Sequence, residues 1–265
     1  MKRYGWLTDI HLNFLHEDAL RVFLEALRAE RLDALLIGGD VAEADTLTHY
    51  LGILDRELDL PIYFVLGNHD YYFGSLQRVR HEVRNLCAAS RNLRWLSEGI
   101  LAPLSPDTAL IGHDGWADGR YGDYERSTVQ LGDYFVIADF ANLDPAGRLR
   151  KLNDLGDEAA RYFEDLLPRA LDSFEHVLLL THVPPFRQAC WYDGRISGDD
   201  YLPHFSCQAV GEVFARTMLE YPERRLTVLC GHTHAGGVAE IAANLLVKTG
   251  AAEYGAPGLQ EVLSI

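Results

Sequence analysis

Pro61-Ile62-Tyr63-Phe64-Val65-Leu66-Gly67-Asn68-His69-Asp70 is the stretch whose reading decides the fold. A proline opens it, apolar and aromatic residues follow without a polar break, and a glycine then introduces an amide, an imidazole and a carboxylate in succession. A short apolar run bounded by Pro and Gly reads as a buried strand, so the polar cluster falls at that strand's carboxyl end. Working outward, the same arrangement recurs four times. Tyr4 to Thr8 leads into Thr8-Asp9-Ile10-His11, and Ala34 to Ile37 leads into Gly38-Gly39-Asp40. Val177 to Leu180 leads into Thr181-His182-Val183-Pro184, and Leu226 to Cys230 into Gly231-His232-Thr233-His234.

Between the early strands the apolar spacing switches to that of helices. Leu20, Phe23, Leu24 and Leu27 follow the i, i+3, i+4, i+7 rule, as do Leu47, Tyr50, Leu51 and Leu54, and then Leu76, Val79, Val83 and Leu86. Strands alternating with amphipathic helices predict βαβ units, an α/β class and a mainly parallel sheet. Further on, Ile100 to Pro103 and Ala109 to Ile111 are expected to pair across Ser105-Pro106-Asp107-Thr108. Helical character returns around Leu152 to Leu171, interrupted by Gly156 and Pro168, and again at Val210, Val213, Phe214 and Met218. Ala239 to Ile241, Leu245 to Thr249 and Val262 to Ile265 read as closing strands. With no repeat or linker, residues 1–265 are expected to form a single domain with irregular insertions at about 112–142 and 185–205.

The charge balance narrows the partners. Lys and Arg number 24 against 39 Asp and Glu, a formal charge of −15. Nucleic acid is held mainly by cations that neutralise phosphates, so this balance argues against a nonspecific nucleic-acid binder. A small phosphorylated molecule is not excluded, because bound metal ions reverse the sign locally. Cys87, Cys190, Cys207 and Cys230 show no C-x-x-C pairing and no disulfide-scaffold density, which predicts reduced thiols and a cytoplasmic address. No apolar run is long enough for a signal h-region or a membrane span.

Ligands in open α/β sheets bind outside the carboxyl ends of strands, so the five clusters are expected to converge on one crevice. Extended backbone sends residues i and i+2 to the same side, which would aim Asp9 with His11, and His232 with His234. Two metal ions sharing one ligand need about seven protein donors. Asp9, His11, Asp40, Asn68, His182, His232 and His234 supply that number, in a mixed oxygen and imidazole set suited to Mn²⁺, Fe or Zn²⁺.

The ordered set D-x-H, G-D, G-N-H-D, a lone His and G-H-x-H resembles the calcineurin-like metallophosphoesterase family. The resemblance runs from Asp9 to His234 with every motif intact. It implies a central β-sandwich of two mixed sheets flanked by helices, a four-layer metallophosphoesterase architecture. It also implies one metal held by Asp9, His11, Asp40 and His234, and a second held by Asp40, Asn68, His182 and His232, with Asp40 bridging. Such a pair of ions activates a shared hydroxide and binds phosphoryl oxygens as Lewis acids.

His69 is then the candidate general acid, with its proton going to the leaving oxygen, and Asp70 is expected to orient it. His113, Arg120, Arg187 and His204, within two aromatic and polar stretches, are the candidate substrate contacts, suited to a nucleotide-like molecule. Gly39-Asp40 is followed by Val41-Ala42-Glu43 rather than the D-R-G of Ser/Thr protein phosphatases. The pattern more closely resembles bacterial-type phosphodiesterases, with a phosphomonoesterase or protein phosphatase as the alternatives. A non-catalytic scaffold of the same fold is the alternative of another class, and the complete donor set with His69 argues against it.

Overall fold

The computed structural model describes all 265 residues. The first half contains β1 (Arg3–Leu7), α1 (Glu17–Ala29), β2 (Ala34–Ile37), α2 (Ala44–Leu58), β3 (Ile62–Phe64), α3 (Leu76–Ala89) and β4 (Leu93–Trp95). It continues through β5 (Ala102–Pro103), β6 (Thr108–His113) and α4 (Asp133–Val136) to α5 (Pro145–Ser173). After these come β7 (His176–Thr181), β8 (Trp191–Tyr192), β9 (Arg195–Ile196), α6 (Leu202–Phe205), α7 (Gln208–Glu220), β10 (Arg225–Cys230), β11 (Gly237–Ala242), β12 (Leu245–Thr249) and β13 (Glu261–Ser264).

Two mixed sheets result. One has the order β13-β1-β2-β3-β4 and the other β11-β12-β10-β7-β6-β5. Within each, the strands that carry the polar clusters run parallel: β1 with β2 and β2 with β3, and β7 with β10. Strands β13, β11 and β5 pair antiparallel at the edges.

Period-two alternation along these strands builds the layers. Tyr4, Trp6, Ala34 and Leu36 from the first sheet meet Leu110, Leu178, Leu180 and Leu229 from the second in one buried cluster, the filling of the sandwich. The Tyr4 hydroxyl crosses the gap and donates to the Leu104 carbonyl at 2.9 Å. The alternate residues Leu7, Leu35 and Ile37 face helix residues Phe23, Leu24, Leu47 and Leu51, while Val177, Leu179 and Ile111 belong to the core that holds Phe163, Leu167 and Phe214. Helices α1, α2 and α3 therefore cover one sheet, and α5 and α7 the other.

Helix α5 differs from expectation by starting seven residues earlier than Leu152 and running unbroken through Gly156 and Pro168. Asp144 caps it by accepting from Gly147 N, and Pro145 sits where its missing N–H costs nothing. Gly156 is a contact point and not an interruption, since a Cβ there would meet Asp118 Cβ at 2.5 Å. No helix is long and apolar enough to cross a membrane, and all four cysteines are free.

At the start of β7, His176 Nε2 lies 2.9 Å from Thr227 Oγ1 on the neighbouring strand. Burial, then the Arg225 charge, pushes this imidazole down to about 4 from 6.5. The folded chain thus keeps His176 neutral where the unfolded chain protonates it. Its contribution to stability is full above about pH 6.5 and is lost as pH falls through that value toward 4. A His176→Gln variant is expected to lose less stability than the unaltered protein between pH 6.5 and 4, as read from urea midpoints. Parallel pH profiles for the two proteins would contradict this.

Candidate metal centre

All five polar clusters meet at one edge of the sandwich, where β1, β2, β3, β7 and β10 end. Backbone bonds zip the first two loops together: Asp9 N donates to the Gly39 carbonyl at 3.0 Å and His11 N to the Asp40 carbonyl at 2.9 Å. Across the sandwich, His232 N donates to Asp9 Oδ1 at 3.0 Å. The Gly231 and Gly67 positions admit no side chain, because a Cβ there would overlap Asp9 Oδ2 and Asp40 Oδ1 respectively.

The side chains do converge as expected, but by a different backbone. Asp9, His11, Asp40, His232 and His234 have φ of 52°, 40°, 52°, 70° and 56°. These are left-handed turn residues, so the i, i+2 pairs are aimed by tight turns and not by extended strand. Asn68 and His69 likewise leave the strand: Asn68 is right-handed helical and His69 begins a 3-10 turn over His69–Tyr71. Non-glycine residues in the left-handed region are strained, and such strain collects where a ligand site dictates the geometry.

Two subsets form. In the first, ligand atoms of Asp9, His11, Asp40 and His234 all lie within 4.8 Å of one another. His11 Nε2 is 3.1 Å from His234 Nε2, and His234 Nε2 is 3.5 Å from Asp9 Oδ1. In the second, Asn68 Oδ1 is 3.0 Å from His182 Nε2 and 2.9 Å from His232 Nδ1. Asp40 Oδ2 faces both subsets, at 3.8 Å from His11 Nε2 and 3.4 Å from His182 Nε2.

The outer hydrogen bonds fix which atoms point inward. His182 Nδ1 lies 2.9 Å from the Gly38 carbonyl and His232 Nε2 lies 3.1 Å from the His204 carbonyl. A carbonyl accepts and never donates, so these nitrogens carry protons, and in the neutral rings the opposite nitrogens present lone pairs. Asn68 Nδ2 donates to Asp133 Oδ1 at 2.8 Å, which turns the amide oxygen inward. Lone pairs of His182, His232 and Asn68 and the Asp40 carboxylate therefore crowd one point, an arrangement that repels itself unless a cation stands there.

The titration behaviour agrees. Burial pushes His182 down, but the Asp40 carboxylate overrides it and drives the imidazole up to about 10. Burial likewise raises Asp40, yet His182, His69 and His11 hold it well below the carboxylate range. Burial and then the His182 charge push His232 down to about 3. The Asp40 carboxylate thus favours positive charge at this point, and the donor set fits metal cations of the oxygen and nitrogen class.

His69 stands beside these groups. Its N–H donates to Asp40 Oδ1 at 2.8 Å, and its ring stacks on Tyr72 at 4.1 Å with 21° between planes. Its Nδ1 is buried without a partner. Asp70 makes no hydrogen bond to this ring, contrary to expectation. Fully buried, it accepts from Val41 N at 2.8 Å, Ala42 N at 3.0 Å and Gly67 N at 2.8 Å. Asp70 therefore ties the loop after β2 to the loop after β3, and acts on the site through Asp40 and Asn68.

The expected substrate contacts separate. His113 is buried, its Nδ1 accepting from Gly115 N and its ring 4.7 Å from Tyr162 of α5. Arg120 is spent on Asp118 at 3.0 Å and Asp157 at 2.7 Å, and Arg187 on Asp199 at 2.8 Å. All three side chains are engaged by groups of the protein itself. His204 does reach the centre, though through its backbone carbonyl on His232, while its ring contacts Ser127 and Tyr134.

Three further residues were not singled out from the sequence. Asp133 accepts from both Asn68 Nδ2 and the Tyr72 hydroxyl at 2.8 Å. Asp114 accepts from Leu66 N, Trp95 Nε1, Ser97 Oγ and the Tyr71 hydroxyl, bracing the strand end that carries Asn68. Tyr254 places its ring 4.6 Å from His11 and 4.9 Å from His234. The pairing of Asp133 with Asn68 spans 65 residues, and no local pattern announces it. Outer partners of this kind set metal affinity, and removing one typically costs 10–100-fold. Asp133→Ala is accordingly expected to weaken Mn²⁺ binding by roughly 10-fold or more, and an unchanged calorimetric affinity would refute the orienting role.

A model of the calcineurin-like phosphoesterase family matches residues 2–236. No curated protein matches the sequence. Among solved structures, the fold is similar to that of a phosphopantetheinyl hydrolase from Mycobacterium tuberculosis, with TM-score 0.65 and 16% identity over 95% of this chain and 89% of that one. A dimetal phosphatase from Danio rerio is similar at TM-score 0.57 and 16% identity, over 94% of this chain and 86% of that one.

Proposed function

The chain belongs to the calcineurin-like phosphoesterase family, and from that premise we propose that it is a phosphodiesterase acting on a small phosphoester through two metal ions. One ion would be held by Asp9, His11, Asp40 and His234, the other by Asp40, Asn68, His182 and His232. The observation that carries this reading is the inward crowding of lone pairs on Asn68, His182 and His232 around Asp40. When bound, the ions supply Lewis acidity toward phosphoryl oxygens and lower the pKa of water.

The protein's own groups do the rest. Gly38 and His204 carbonyls keep His182 and His232 in the tautomers that face inward. Asp133 keeps the Asn68 oxygen inward. His69, part-exposed beside Asp40 and stacked on Tyr72, is the candidate to give a proton to the departing oxygen. The diester reading rests on the sequence after Gly39-Asp40, Val41-Ala42-Glu43, which lacks the D-R-G of Ser/Thr protein phosphatases.

The test is a panel with Mn²⁺ added: p-nitrophenyl phosphate, bis(p-nitrophenyl) phosphate, cyclic nucleotides and dinucleoside polyphosphates. Hydrolysis of the bis-ester faster than the monoester is expected. Faster monoester turnover would overturn the diester assignment, and no hydrolysis of any member would overturn the enzyme reading.

A further inference from the structure

Beside the metal centre lies a cavity of about 830 Å³ lined by Tyr192, Asp193, Arg195, Tyr201, Thr233 and His234. That volume is within the range of small-molecule sites, about 300–1,000 Å³. His234 belongs to the donor cluster, so the cavity and the centre share a wall.

Another part of the wall is a hairpin. Tyr192 on β8 pairs directly with Arg195 on β9, so both side chains leave the same face of the ribbon. The turn between them is Asp193-Gly194, with φ of 50° and 72°, the two-residue geometry that holds such a pair in register. Tyr192 stacks on Tyr201 at 4.8 Å with 30° between planes, and both contact Phe205, at 5.3 and 5.4 Å. Phe205 in turn packs edge-on against His232 at 5.3 Å and 87°. A continuous aromatic run therefore links the hairpin to the centre. Tyr192 keeps 37% of its surface exposed, and Arg195 is also exposed.

We propose that this cavity is a subsite for a planar heteroaromatic group of nucleobase type carried by the phosphoester, an assignment that rests on the hydrolase reading above. Tyr192 offers a stacking face, which accepts any flat π system. Arg195 presents donors alone and Asp193 acceptors alone. A ring with both acceptors and donors on its edge uses all three, whereas a plain aryl or alkyl group uses at most the tyrosine.

The experiment compares two esters with the same leaving group, thymidine 5′-(p-nitrophenyl phosphate) and methyl p-nitrophenyl phosphate, on the Mn²⁺-loaded protein. The ratio of their kcat/KM values is expected to favour the thymidine ester. That ratio falls about tenfold in Tyr192→Ala, the loss of one base stack, and about threefold in Arg195→Gln, the loss of one edge contact. In parallel, thymidine 5′-monophosphate is titrated into the metal-free protein and its Tyr192→Ala variant by calorimetry, with weaker binding expected for the variant. Selectivity unchanged in both variants, with binding of the monophosphate unchanged in Tyr192→Ala, overturns the subsite and leaves the hydrolase reading intact. If the unaltered protein hydrolyses neither ester, that reading fails, and the titration alone then decides the subsite.

Discussion

Asp40→Asn is expected to reduce bound metal from two ions to one and to lower hydrolysis of bis(p-nitrophenyl) phosphate by about 10³-fold or more, since a lost Lewis-acid contact costs several kcal/mol. The reason is positional. Asp40 Oδ2 is the one carboxylate oxygen that faces both donor subsets, at 3.8 Å from His11 Nε2 and 3.4 Å from His182 Nε2. An amide removes the charge that gathers those imidazoles, while its oxygen can still accept from His69 N in place of Oδ1. The fold should therefore survive the change, which keeps the result interpretable. Metal content by mass spectrometry and turnover are the two measurements. Two tightly bound ions with undiminished turnover would show that Asp40 does not bridge.

His69→Ala is expected to keep both ions and to lose about 10²–10⁴-fold in turnover, the usual worth of a general acid. Metal should stay because the tie from residue 69 to Asp40 is made by backbone N–H, which alanine retains. The loss must also grow as the leaving group worsens, because a phenolate with low proton affinity departs without help and an alkoxide does not. Comparing p-nitrophenyl with unsubstituted phenyl esters reads this directly. An equal loss across leaving groups would assign His69 to packing on Tyr72 and not to proton delivery.

Much of this centre is legible from the sequence because each donor sits just past a strand whose apolar run is unmistakable. Leu66-Gly67-Asn68 and Cys230-Gly231-His232 mark their own strand ends. Strand β4, by contrast, is three residues long, Leu93-Arg94-Trp95, and β8 and β9 are two residues each, too short for any period to register. The outer partners escape for another reason. Asp133 meets Asn68 and Asp114 meets Leu66 from within the aperiodic stretch after Gly112, and His204 acts through a carbonyl that every residue type possesses. Side-chain identity says nothing about such contacts. Asp70 shows the converse error: a carboxylate next to a candidate acid suggests a partnership, yet three backbone amides claim it first.

Nine non-glycine residues in the chain have left-handed backbone, and five of them are Asp9, His11, Asp40, His232 and His234. Each such residue costs on the order of 1 kcal/mol relative to a glycine in the same turn. Selection for a sturdier chain and selection for turnover therefore pull in opposite directions at these five positions. Glycine would suit the turns better and dismantle the centre, so a screen that rewards heat resistance alone would drift toward inactive proteins.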